Sequence, residues 1–345
     1  MHCQFTSFLK PFFVATAFVL IILPLQIQVL LAAPPADPVV TEPNKSSAKE
    51  KGIPVAFKSG AYTLKGRLIA PQHSSTKLPA IIFCVGSGGN SSPNSNYASF
   101  LGKLFEQNLP LDSIALFYFD KRGVGESEGK WYNTNFEERA ADAKAAADYL
   151  KTLPFIDSSR IAVVGHSQGG WIAQICLSKY PETFAGGISM AGPTLNVKEQ
   201  VRNDYATTLL CERQMTEEEA RAKALKQVNR DFFIASLFPL KDNWKQLKVI
   251  KSFEPAKYLT SVSKPLLLMF GENDGLVSPS YSMAELNRLY PAGIPEHIQT
   301  VTIKGANHSF YLSTLCYKGP SRALSYSEEC KRQLRQWTEI YLLKP

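Results

Sequence analysis

A chain of 345 residues with 45% apolar and 20% charged side chains has an ordinary globular composition and the length for one large domain, which excludes extended disorder and fibrous repeats over most of it. Net charge is +8, but lysine and arginine are dispersed among acids, with no basic stripe interleaved with aromatics, so nucleic acid is not an expected partner. Six cysteines are too few and scattered for a disulfide-built scaffold, and none shows C-x-x-C or Cys/His metal spacing, so neither metal nor cofactor is expected.

In chain order, residues 1–33 hold Lys10, no acid, and an apolar run from Pro11 to Ala33 that ends in small residues. That is the pattern of a signal peptide removed on export. The run approaches a bilayer-spanning length, so an uncleaved membrane anchor through residues 1–33 is the alternative. Either way the protein is expected to be exported, periplasmic or secreted. Residues 34–52, rich in Pro, Ala, Ser and charge, read as a linker, and the folded domain is expected over 53–345.

That domain opens with two extended segments, IPVAFKS and YTLKGRLIAP, suited to an antiparallel start. Apolar runs then alternate with helical stretches: LPAIIFCVG, NYASFLGKLFEQN, SIALFYFD, NFEERAADAKAAADYLKTL, RIAVVG, GGWIAQICLSKY and FAGGISMAG. After a gap come KPLLLMFG, a helix over Pro279 to Tyr290, IQTVTIKG and a C-terminal helix. Continuous apolar strands alternating with helices predict an α/β fold, a doubly wound, mostly parallel sheet covered on both faces. The gap, about 194–255, reads as helices, with Thr216 and Glu219 at capping-box spacing. It falls where strand carboxyl ends emerge, the side on which such sheets bind ligands, and is expected to be a helical lid. Phe232, Phe233, Phe238 and Trp244 either give that lid an apolar underside or pack it onto the domain. Cys84 and Cys176 read as buried thiols. In an oxidising compartment Cys316 could pair with Cys330, with Cys211 to either of them as the competing arrangement.

The chemistry starts at GHSQGG. G-x-S-x-G between a strand and a helix is the pattern of a nucleophile elbow, which exposes a serine hydroxyl on a strained turn; the alternative is an ordinary turn. A nucleophilic Ser167 requires a base and an acid in the order Ser, acid, His. Of five histidines, His2 lies in the N-terminal segment, His73 in an early loop, and His297 just before a strand. His166, inside the elbow, is expected to point away from Ser167 and to pack or bond locally. His308, in the loop after the final strand, is left as the base. The acid should follow the preceding strand, where GENDGLVSP supplies Asp274, with Glu272 as fallback; Asp274 could also be only an Asx-turn residue before Pro279. Acyl transfer further needs donors for a tetrahedral oxyanion. The backbone N–H of Gln168 is one candidate, and that of Ser87, or of Gly88 beside it, in the glycine-rich loop CVGSGGNSS is the other. Neither G-K-[ST] nor G-x-G-x-x-G accompanies that loop, so a nucleotide site is not expected.

Taken together, GHSQGG, GENDGLVSP, GANHSF, VGSGG and FDKRGVGES resemble the α/β-hydrolase superfamily from about Ile53 to the C-terminus, and within it the esterase and serine-aminopeptidase-like, prolyl-oligopeptidase-related group. The resemblance implies Ser167, Asp274 and His308 as a catalytic triad, a helical cap, and a structural role for Asp120, Arg122, Gly123 and Gly125. The His-Gly pair common in the group's oxyanion loop is Val85-Gly86 here. The expectation is a serine hydrolase that cleaves small carboxylic esters through an acyl-enzyme. A short-peptide hydrolase or thioesterase on the same triad is the alternative, and a non-catalytic binding protein of this fold is more remote.

Overall fold

Short apolar runs with no polar face suit strands covered on both faces, and four of them, in a computed structural model describing residues 52–71 and 76–344, are buried throughout. The segment expected as signal or anchor, the linker up to residue 51, and His73 lie outside the described residues.

The strands are β1 (Ile53–Ser59), β2 (Tyr62–Ile69), β3 (Leu78–Cys84), β4 (Ala115–Phe119), β5 (Ile156–His166), β6 (Gly186–Met190), β7 (Leu266–Gly271) and β8 (Ile298–Ile303). They form one sheet in the order β1-β2-β4-β3-β5-β6-β7-β8. β1 and β2 pair antiparallel with each other, and β2 antiparallel with β4; every later pairing is parallel. β1 buries alternate residues, as a strand with one wet face must. β5 starts four residues before the apolar run at Arg160, because Leu78 pairs with Ile156 before the register shifts.

The helices are α1 (Ala98–Leu101), α2 (Phe136–Lys151), α3 (Gln168–Lys179), α4 (Val197–Arg213), α5 (Glu217–Leu237), α6 (Asp242–Ile250), α7 (Ala256–Leu259), α8 (Pro279–Leu289) and α9 (Glu328–Thr338). α1 continues as a wider turn over Gly102–Glu106. α2 begins at Asn135, whose side chain accepts from the Glu138 N–H while Glu138 reaches back to the Asn135 N–H. Its alanines at 140, 143, 146 and 147 are fully buried, and such small side chains let helix and sheet approach closely. α5 starts with the same reciprocal cap at Thr216 and Glu219. This is the fold of the α/β-hydrolases, with α4 to α7 inserted between β6 and β7. No helix among the described residues is long and apolar enough to cross a membrane.

Strand order decides where a site can form. From β3 the chain moves to β4 on one side and then returns to β5 on the other, so the loops after β3 and β5 diverge and leave a crevice at their carboxyl ends. The glycine-rich loop and the GHSQGG turn are those two loops.

The cysteine pairing differs from the first one expected. Cys211 on α4 is bonded to Cys316 in the loop after β8, and Cys330 is a buried free thiol on α9, 3.6 Å from the Met269 sulfur. Cys330 lies on the inward stripe of α9 with Leu334 and Trp337, so its side chain faces the core and not residue 316. The aromatics of the insertion also divide differently: Phe233 and Phe238 are exposed, whereas Phe232 and Trp244 are half-buried. The inward positions of α5 are Ala220, Ala224, Val228, Asp231 and Ala235, and Phe233 lies on the opposite face.

The Cys211–Cys316 bond closes a loop of 105 residues. Chain-entropy reasoning gives it up to about 4–5 kcal/mol. Reduction should therefore lower the denaturant midpoint of the native protein and leave that of a Cys211→Ser/Cys316→Ser variant unmoved. Equal midpoints with and without reductant would contradict the bond.

Candidate active site

The GHSQGG turn is as tight as its glycines allow. A β-carbon on Gly165 would stand 1.8 Å from the Gly169 carbonyl oxygen, and one on Gly169 would stand 2.0 Å from that of Cys84. Only glycine permits strand and helix to approach this closely. Ser167 between them has φ 59° and ψ −124°, a conformation that is costly for a residue with a side chain and persists only where the surroundings impose it. Its N–H donates to the Met190 carbonyl (2.9 Å) and its own carbonyl accepts from the Gly170 N–H (2.8 Å). An ordinary turn would need none of this strain.

The loops after β7 and β8 bring an acid and an imidazole together. Asp274 and His308 meet through Oδ2 and Nδ1 at 2.8 Å, with both residues buried. The other Asp274 oxygen accepts from the N–H groups of Leu276 and Val277, each at 2.8 Å. Asp274 thus makes the Asx-type turn and meets the imidazole at once. Glu272 does neither; it accepts from the Gly305 N–H at 2.7 Å and braces the loop that carries His308.

His166 packs against the Phe100 ring, 4.8 Å between centroids, but its hydrogen bonds are not local. Its Nε2 lies 2.8 Å from the main-chain carbonyl of His308, and its Nδ1 lies 2.7 Å from the Tyr97 hydroxyl. A carbonyl can only accept, so Nε2 carries the proton and Nδ1 accepts from Tyr97. The same hydroxyl accepts from the Gly86 N–H at 3.0 Å. Burial pulls the His166 pKa down to about 3, with His308 nearby adding to the effect. One neutral imidazole therefore ties the turn of Ser167 to the loop of His308 and, through Tyr97, to the glycine-rich loop.

That loop is held by two buried cations whose roles nothing in the sequence signalled. Lys121 Nζ donates to the Gly86 carbonyl at 2.7 Å, and the Arg139 guanidinium donates to the Val85 carbonyl at 2.5 Å and to Gln168 Oε1 at 3.3 Å. The Ser91 hydroxyl donates to the Ser87 carbonyl. No described peptide bond is cis, and in a trans peptide N–H and C=O point in opposite directions. With the Gly86 carbonyl turned to Lys121, the N–H of Ser87 points the other way. A β-carbon on Gly86 would stand 3.2 Å from that of Ser167, so this peptide lies against the serine. Gln168 is the first residue of α3, where the N–H has no partner within the helix. Arg122 and Asp120 stand apart from the turn: Arg122 pairs with Asp142 at 2.8 Å and lies over the Tyr62 ring, and the Asp120 carbonyl accepts from the Ser127 hydroxyl.

The insertion is fastened to the loops that carry Asp274 and His308. On α4, Gln200 and Asn203 both donate to the Leu276 carbonyl, and the disulfide joins the end of the same helix to the loop after His308. Between these fastenings sits Asp204, 4% exposed, with Oδ2 buried and lacking a hydrogen bond. Its carboxyl is raised from 3.8 to about 7 by burial; His308 opposes the shift and Asp274 adds to it. Among the described residues no group of three or more His, Cys, Asp or Glu could hold a metal ion.

Comparison with known proteins gives a consistent set of likenesses. The sequence profile of the prolyl oligopeptidase family matches residues 109–331. Dipeptidyl-peptidase 5 of Porphyromonas gingivalis is 26% identical over 227 residues, which is 64% of this chain and 29% of that protein's length. Among solved structures, Est1E from Butyrivibrio proteoclasticus with ferulic acid bound has a TM-score of 0.55 at 18% identity, over 84% of this chain and all of that one. The Pyrococcus furiosus esterase Pf2001 has a TM-score of 0.56 at 18% identity, over 85% and 92%. At such identities the structural likeness is of fold alone.

The Asp204 shift gives a prediction whose sign is fixed. A carboxyl raised on folding contributes most below its unfolded value of about 3.8, and that contribution is lost as pH rises through about 7. Unfolding free energy should therefore fall less steeply between pH 4 and pH 7 in Asp204→Asn than in the parent. Parallel profiles in chemical denaturation would contradict the buried, uncompensated carboxyl.

Proposed function

Because the chain belongs to the prolyl oligopeptidase family, within the α/β-hydrolases and of the serine-hydrolase type, we propose that Ser167, His308 and Asp274 are its catalytic triad and that it cleaves small carboxylic esters through an acyl-enzyme. The observation that carries this reading is the buried Asp274–His308 pair, in a loop that His166 ties to the Ser167 turn. With Nδ1–H donated to Asp274, the basic nitrogen of His308 is Nε2. It takes the Ser167 hydroxyl proton as Oγ bonds to the substrate carbonyl carbon, and Asp274 stabilises the imidazolium that forms. The carbonyl oxygen becomes an oxyanion received by the N–H groups of Ser87 and Gln168. Collapse breaks the carbon–oxygen bond to the alcohol, which leaves with the proton from His308. Water, deprotonated by the same nitrogen, then releases the acid and restores Ser167.

The ester reading leads because four charged groups around the site are already committed. Lys121 and Arg139 hold loop carbonyls, Asp274 holds His308, and Glu272 holds the Gly305 N–H. None of these four is left over for a peptide terminus. A second reading, a hydrolase of short peptides, is favoured by Asp204: a carboxyl beside the Asp–His pair, with an oxygen that makes no hydrogen bond, is a group to which a substrate ammonium could bind. The family and the dipeptidyl-peptidase relative support it too. The disulfide supports an exported location, since such bonds persist in oxidising compartments.

A fluorophosphonate should label the native protein and not Ser167→Ala, and aryl-ester turnover should vanish in the variant. Labelling that survives the substitution would sink the assignment, and aminoacyl-arylamide turnover above ester turnover would replace the first reading by the second. Lys121→Met removes the cation that orients and polarises the Gly86–Ser87 peptide. It should lower kcat by about tenfold or more while leaving KM nearly unchanged, since the Ser87 donor acts on charge that develops in the transition state. A variant with raised KM and unaltered kcat would place Lys121 outside oxyanion stabilisation.

A further inference from the structure

The outer face of the insertion carries apolar side chains that the domain leaves uncovered. On α5 the stripe opposite its buried face runs Lys226, Arg230, Phe233, Leu237, and the chain continues through Phe238 and Leu240 into Lys241 at the head of α6. Phe233 is 64% exposed, Leu237 54%, Phe238 62% and Leu240 81%. Single exposed apolar residues are ordinary, but a contiguous group at one helix end is not. Cations accompany it: Arg230 and Lys241 next to the apolar residues in the chain, and Lys226 and Lys248 farther along the two helices, are all exposed. From residue 223 to residue 251 there are seven Lys and Arg against two Asp. One of those acids, Asp231, is buried beside Arg230, and the other, Asp242, is engaged by Lys245 at 2.9 Å.

Exposed apolar side chains accompanied by exposed cations make the pattern of a surface that lies in a membrane interface, where the apolar groups enter the headgroup–acyl boundary and the cations meet phosphates. The charge also selects against the simplest protein occupant, since a second copy of this chain would bring the same cations face to face. We propose that the tip formed by the end of α5 and the start of α6 is a peripheral docking surface for an anionic lipid bilayer. Phe233, Leu237, Phe238 and Leu240 insert, and Arg230 and Lys241 bind headgroup phosphates. α4, held to the acid loop and by the disulfide, is not part of this surface. The proposal does not depend on which acyl substrate the enzyme takes.

The test is hydrogen–deuterium exchange on the full chain, mixed with phosphatidylglycerol-containing vesicles, with pure phosphatidylcholine vesicles, and with none. Reading peptides from 226–251 separates this surface from any membrane contact made by residues 1–33. Anionic vesicles should slow exchange in these peptides, phosphatidylcholine should not, and raised salt should weaken the effect. Phe238→Ser/Leu240→Ser should abolish the protection. Arg230→Gln/Lys241→Gln should require roughly tenfold more lipid or more for the same protection, each cation near the surface carrying substantial binding free energy. Unchanged exchange elsewhere in the domain checks that the variants are folded. No protection, equal protection on both lipids, or protection that survives both variants would overturn the proposal. So would protection that grows with protein concentration in the absence of lipid, which would make the occupant a second copy.

Discussion

The carboxyl edge of the sheet depends on one imidazole remaining neutral. His166 donates from Nε2 to the His308 carbonyl and accepts at Nδ1 from Tyr97, whose hydroxyl in turn accepts from the Gly86 N–H. A second proton on the ring would turn Nδ1 into a donor facing the Tyr97 oxygen, and the hydroxyl would lose its acceptor and have to turn its own proton elsewhere. Burial prevents this by making the charged form costly. The chain of bonds ends at Arg139, which holds the carbonyl of the same peptide whose N–H reaches Tyr97. Three loops from separate parts of the sequence, after β3, β5 and β8, therefore share one register. That register is what a nucleophile, a base and an oxyanion donor need if they are to serve one substrate atom.

Rigidity is unevenly distributed around this edge. α4 is fastened twice, by Gln200 and Asn203 to the acid loop and by the disulfide to the loop beyond His308. α5 packs its small inward residues on that fixed helix and turns its cations and large apolar residues outward. The insertion thus has a clamped inner layer, which includes the uncompensated Asp204, and an outer layer whose chemistry is directed away from the domain. Charge near the site and charge at the tip serve separate ends.

Much of this was legible in the sequence because it depended on local pattern. Buried strands are continuous apolar runs, the cap at Thr216 follows from spacing, and the GHSQGG turn needs its glycines for backbone reasons alone. Asp274 and His308 could be singled out because parallel-sheet topology sends successive loops to one edge. What stayed hidden depended on side chains meeting across long separations. Lys121 and Arg139 look like solvated cations until the fold turns them onto loop carbonyls. His166 looked local because its partner at residue 308 is 142 positions away. The pairing of Cys211 with Cys316 rather than of Cys316 with Cys330 was decided by which face of α9 is buried, and the outward position of Phe233 by which face of α5 packs on α4.

The neutral bridge can be observed directly by the ring nitrogen shifts of His166 in isotope-labelled protein, followed from pH 5 to pH 9. The structure predicts an unchanging neutral ring with its proton on Nε2 throughout, since its pKa of about 3 lies below the range. A ring that titrates near the ordinary histidine value of about 6.5, or one that carries its proton on Nδ1, would contradict it.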